Sequence, residues 1–191
     1  MTEAPPGRRE RKKAATRQSI ADAALRLFLE HGYDQVSIRD IADAADVSTT
    51  TLFKHFPSKE ALVFDMDEDR EARLVAAVRD RPAGTDVIEA LRGYARDHWL
   101  PLADDPRLAA FTALVDSTPA LRDYAERMWS RHTDSLAAAI AEACGAPAGD
   151  VASATLARFM LQIPAITRGR PDPEAAVETV FGILAGGWRP A

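Results

Sequence analysis

Asparagine is absent from this 191-residue chain, cysteine occurs once, and four lysines stand against twenty arginines. A single Cys144 cannot form an intrachain disulfide, which excludes a secreted fold stapled by bridges. A chain of this length buries an ordinary core without a disulfide or a structural metal. No run of about 18 apolar residues is present, so a membrane-spanning helix is excluded. The longest apolar run, residues 180–188, has nine residues, three of them glycine. The opening MTEAPPGRRERKK has cations but no apolar stretch behind them, unlike a secretory signal. Alternating runs of β-branched and aromatic residues are also missing, while alanine, arginine, leucine and glutamate, the strong helix formers, abound. The expectation is a cytoplasmic, all-α protein.

The net charge of −5 leans against a nucleic-acid partner, but it is an average. Residues 1–59 carry ten Lys/Arg against eight Asp/Glu, and residues 60–191 carry fourteen against twenty-one. Arg8, Arg9, Arg11, Lys12, Lys13 and Arg17 crowd the start. Such a run reads either as a solvated tail or as a flexible basic arm for a polyanion, assigned here to residues 1–15.

The helical pattern after this basic run favours the polyanion. Ile20, Ala24, Leu27 and Phe28 recur at helical spacing and predict a first helix from about Thr16 to Glu30, with Gly32 as a left-handed cap. Ser37 with Asp40 makes a capping-box start for a second helix through Ile38, Ile41, Ala42 and Ala45. Asp46-Val47 form a turn, and Ser48 caps a third helix from Thr49 to Phe56, ending before Pro57. Ser58 caps a fourth. Two short helices joined by a tight turn make a helix-turn-helix. Leu52 and Phe56 point inward, which leaves Thr49, Thr50, Thr51, Lys54 and His55 outside. Three successive threonines are poor helix formers, yet their hydroxyls and methyls suit base edges, and Lys54 suits guanine or phosphate.

The stretch TRQSIADAALRLFLEHGYDQVSIRDIADAADVSTTTLFKHFPSKEALV, residues 16–63, resembles the DNA-binding domain of the tetracycline-repressor (TetR) family of bacterial transcriptional regulators. The resemblance implies a three-helix head, here residues 16–62, whose third helix enters the major groove. Arg39 falls at a base-reading position of the second helix, and Ser37 falls where that helix meets phosphate. Ser48 caps the recognition helix, and Thr49, Thr50 and Thr51 take its base-facing positions. His55 and Lys59 take backbone-contacting ones. Two departures stand out. Phe53 replaces the usual tyrosine and cannot donate a hydroxyl to phosphate, and Asp46 replaces the usual glycine before Val47.

Residues 63–191 read as a helical bundle for ligand binding and dimerisation. Helices are predicted from Lys59 to near Arg81, from an Asp86 cap to a stop by Pro101, from Pro106, from Pro119 to about Ala143, from an Asp150 cap with Pro164 ending or kinking the helix, and from Glu174 to about Gly186. The resemblance implies that the last two helices pack against a second copy, so that two heads read a palindromic operator. Ala154, Ala157, Val177, Val180, Phe181 and Leu184 suit that contact or the monomer's own core. Residues 107–143 additionally resemble the members with an acyl-CoA-like ligand domain, which implies a hydrophobic effector. His98, Trp99, Phe111, Met128, Trp129 and His132 are the candidate ligand contacts, each an apolar body or one with a polar tip, with plain core packing as the alternative for each.

No catalytic motif appears. His31, His55, His98 and His132 have no metal-ligand spacing, and neither a phosphate-binding glycine loop nor a Gly-x-Ser-x-Gly elbow is present, so no enzyme, metal or cofactor is expected. Cys144 is expected to be a small buried residue. The sequence therefore points to a repressor with double-stranded DNA, a small effector and a second copy as partners. A body that docks a protein instead of a small molecule is the alternative.

Overall fold

In a computed structural model, residues 7–102 and 105–187 are described. Among them nine α-helices and two 3-10 turns form, with no strand: α1 Arg8–His31, α2 Ile38–Ala44, α3 Thr49–His55, a 3-10 turn Glu60–Leu62, α4 Asp67–Arg79, α5 Val87–His98, a 3-10 turn Leu100–Leu102, α6 Pro106–Ser117, α7 Pro119–Cys144, α8 Val151–Thr167 and α9 Pro173–Gly186. No described helix is long and apolar enough to cross a membrane.

The chain divides into two compact units. One runs to Met66 and includes Ala110–Tyr124; the other comprises Asp67–Ala109 and the chain from Ala125. In the first, α1 packs on α2, α3 and the 3-10 turn. Ile20, Ala24, Phe28, Ile41, Leu52, Phe56 and Leu62 are buried, so the faces read from helical spacing are the faces buried. Phe64 stacks on Tyr124 at 5.2 Å and meets Phe111 edge-on at 5.7 Å. In the second unit, α4 packs on α5, α5 on α9 and α9 on α8. Leu91, Leu136, Ile140, Met160, Ile163 and Phe181 lie at the centre of its core.

Several boundaries differ from expectation. The first helix begins at Arg8, so Arg8–Ala15 of the expected flexible arm are helical; residues 1–6 lie outside the described residues. Glu10 in the first turn accepts from the Gly7 N–H at 3.1 Å and gives that extension an N-terminal cap. Gly32 ends the helix at φ 84° and ψ 151°, a backbone state open to glycine but outside the left-handed helical cap expected. The predicted fourth helix is broken. Ser58 caps only a 3-10 turn, through the Ala61 N–H at 3.3 Å, and α4 starts afresh at Asp67. Pro164 lies inside α8 and does not end it. Cys144 is exposed and not buried, because it occupies the last residue of α7.

Among the expected dimer-contact residues, Ala157, Val177 and Phe181 lie in the core of the unit itself, while Ala154 is exposed. The Phe181 ring is fully buried, and the Arg92 guanidinium lies 5.8 Å from its centre. Phe181→Ala should therefore destabilise the body by about 3–5 kcal/mol. Urea unfolding followed by circular dichroism measures it.

Candidate nucleic-acid interface and body cavities

The short helices of the head are held by caps legible in the sequence. Ser37 Oγ accepts from the Asp40 N–H at 3.2 Å, and the Asp40 carboxylate accepts from the Ser37 N–H at 2.8 Å and its hydroxyl at 2.7 Å. Those bonds, the Ser37 hydroxyl first, hold the Asp40 carboxyl below its usual range. Ser48 Oγ accepts from the Thr51 N–H at 3.1 Å and lies 2.9 Å from the Thr51 hydroxyl. Between the two helices Asp46 adopts φ 52°, the left-handed state expected of it.

The outward face of α3 consists of Thr49, Thr50, Phe53 and Lys54, all exposed, with Phe53 at 51%. Thr51 and His55 are half-buried. The structure thus brings Ser48, Thr49, Thr50, Phe53 and Lys54 to one open surface, whereas Thr51 also serves the cap. Arg39 is exposed on α2, 4.0 Å from Asp43.

Three cations placed on the polyanion side by sequence have partners inside the head or are shielded by it. Lys59 Nζ donates to the Tyr33 carbonyl at 2.5 Å and sits 4.1 Å from the centre of the Tyr33 ring. Burial lowers its pKa, against the pull of Asp34 and Glu60. Arg17 is not part of a tail. Its guanidinium donates to the carbonyls of His55 at 2.6 Å and Asp65 at 2.8 Å and lies 4.3 Å over the Phe56 ring. His55 Nδ1 is buried without a hydrogen-bond partner, and burial, then Lys13 and Arg17, lower its pKa.

The candidate ligand contacts fall in both compact units. Phe111 belongs to the first unit, against Phe64. His98 is exposed, stacked 4.4 Å from Tyr94, and Trp99 meets Tyr94 edge-on at 5.5 Å. Met128 is buried. Trp129, 41% exposed, lines a groove of about 450 Å³ between α7 and α8 together with Arg158, Leu161, Gln162, Pro164 and Arg168. A second groove of about 450 Å³ runs along Ala137, Ala141 and Ala154.

His132 has a different setting. Its Nε2 lies 2.6 Å from Asp67 Oδ1 and 3.5 Å from Glu71 Oε2, with the ring only 2% exposed. Arg131 donates to Asp67 and, at 2.9 Å, to Glu71, and the Ser135 hydroxyl donates to Glu71 Oε1 at 2.5 Å. Sequence reading missed Asp67, Glu71, Arg131 and Ser135. Their i, i+4 spacings on α4 and α7 were visible, but nothing local pairs those two helices.

Residues 20–66 match the family of bacterial regulatory proteins described as tetR. The transcriptional regulator TcmR of Streptomyces glaucescens is 35% identical over 123 residues, 61% of this chain and 54% of that protein. The transcriptional repressor AcnR of Corynebacterium efficiens is 31% identical over 95 residues, 48% of each. The matches thus span about half the length of these relatives. The fatty acid degradation regulator FadR of Bacillus halodurans superposes with a TM-score of 0.57 at 26% identity, over 92% of this chain and 97% of that one.

Replacing Asp46 by glycine removes a Cβ from a left-handed position, so Asp46→Gly should stabilise the head by about 0.5–1 kcal/mol. A rise in melting temperature without change in helix content is the expected reading.

Proposed function

The chain belongs to the TetR family of bacterial transcriptional regulators, and from that premise we propose that it is a ligand-responsive repressor that grips a palindromic operator as a dimer and leaves it when a small hydrophobic effector binds. Its relatives are named as a transcriptional regulator and a transcriptional repressor, and the chain is read as a regulator and not as an enzyme.

The observation that carries the DNA reading is the exposed face of α3. Thr49, Thr50 and Lys54 contact base edges or phosphate, and Ser48, Arg39 and His55 add contacts around them. Phe53 offers a ring in place of a hydroxyl. Ser37 takes phosphate only by exchanging its bonds to Asp40, and Thr51 and Lys59 act by holding the helix in shape. Dimerisation is supported by apolar side chains exposed on the last two helices: Val151, Phe159 and Ile166 on α8, and Ile183 on α9. The effector reading rests on the Trp129 groove and on the likeness to a protein named as a regulator of fatty acid degradation. An effector that binds the DNA-releasing state better shifts the population by that difference in affinity.

An operator selected from a random DNA pool gives the test. Lys54→Ala should weaken binding and lower the salt slope by about one, and Thr50→Ala should relax preference at one base by about 1–3 kcal/mol. Wild-type binding by both variants would overturn the assignment of α3 to the groove.

His55 supplies a pH dependence. Its pKa is lowered in the free protein, and a neighbouring phosphate would raise it, so binding takes up a proton. Affinity should rise as pH falls through the raised pKa of the bound state and level off below the lowered pKa of the free protein. His55→Asn should flatten the profile; fluorescence anisotropy against labelled operator measures both.

A further inference from the structure

We propose that Asp67, Glu71 and His132 form a binding site for one divalent first-row transition-metal ion of the zinc class. The proposal stands apart from the DNA reading, since every residue in it belongs to the body unit.

The donor set comes first. One imidazole nitrogen and two carboxylates lie with their candidate ligand atoms all within 4.8 Å of one another. Ligands at zinc-class distances of about 2.0–2.2 Å from an ion, in tetrahedral or octahedral array, stand roughly 3 Å apart. The separations of 2.6 Å from His132 Nε2 to Asp67 and 3.5 Å to Glu71 bracket that value, so the imidazole already stands near ligand spacing from each carboxylate. A nitrogen with carboxylate oxygens suits zinc, nickel or manganese better than calcium or magnesium, which prefer oxygen alone.

The surroundings support the same reading. Asp67 and Glu71 are one turn apart on α4, so both carboxylates face α7 together. Ser135 donates to the Glu71 oxygen not aimed at His132 and so orients that carboxylate, as an outer-shell partner does. Trp129 meets the His132 ring edge-on at 5.3 Å and covers it with apolar surface.

Charge decides the state. Two carboxylates share the single positive charge of Arg131. With His132 neutral, a buried negative charge remains, and a divalent ion neutralises both carboxylates at once. Arg131 is the competitor already in place. Its side chain is 49% exposed and can turn to solvent as an ion enters. His132 then binds through Nε2 as the neutral tautomer with its proton on Nδ1.

The experiment is a calorimetric Zn²⁺ titration at neutral pH of the full chain carrying Cys144→Ser, which removes its one thiol. One ion per chain is expected, with a Kd on the order of 10 μM or tighter. His132→Gln should weaken binding by about 50-fold or more, and Arg131→Met should tighten it about 10-fold by removing the competing cation. Should His132→Gln not fold, Glu71→Gln takes its place with the same expectation. Absence of saturable binding up to about 1 mM, or binding unchanged in His132→Gln and Glu71→Gln, overturns the proposal. So does binding that appears only after Arg131→Met, which would make the guanidinium the resident cation.

Discussion

A helix of seven residues has almost no stability of its own, and α3 is one. Whatever it presents to a partner depends on how its two ends are fixed. Ser48 fixes the first. The second is fixed by Arg17, which reaches from α1 to the carbonyl of His55, the last residue of α3, and to that of Asp65. The same guanidinium covers Phe56, whose ring closes the core of the head. Hydrogen bonds from a charged donor to carbonyls left over at a helix end are among the stronger available, and here they link segments 38 and 48 residues apart. The face formed by Thr49, Thr50, Phe53 and Lys54 is held in place because a cation from the start of the predicted first helix lies folded against the end of α3.

Local features were legible in the sequence. The caps by Ser37, Ser48, Asp86 and Asp150, the left-handed Asp46 and the inward Leu52 and Phe56 follow from chemistry within four or five residues. Length was harder to read: Glu10 extends α1 into a basic stretch, and the chain breaks its helix between Leu62 and Asp67 without a proline or glycine to announce it. Non-local partnerships were not legible at all. Lys59 and Arg17 have the composition of phosphate contacts, and only the fold reveals the Tyr33, His55 and Asp65 carbonyls beside them. His132 stands out in the sequence only as a candidate ligand contact, and its partners lie 65 and 61 positions away on another helix.

Charge obeys the same division. The acidic average of the chain conceals a basic first third, yet that third does not hold all of its cations loose. Arg17 and Lys59 are internal, Arg39 stands beside Asp43, and Asp40 places a carboxylate at the start of α2. The free positive charge of the described head is concentrated on Lys54 and on the first turns of α1, where Arg8, Arg9, Arg11, Lys12 and Lys13 are exposed.

Pro164 lies three residues before the end of α8, and a proline has no N–H to donate to the carbonyl four residues back. The last turn of α8 is therefore attached to the rest by one backbone bond fewer than its neighbours. That turn carries Pro164, Ala165 and, just beyond it, Arg168 into the wall of the Trp129 groove. Mechanically, the groove has one stiff side, the continuous α7, and one compliant side. A guest can widen it by bending a helix where the ladder is already open, while Met160 and Ile163 keep their places in the core.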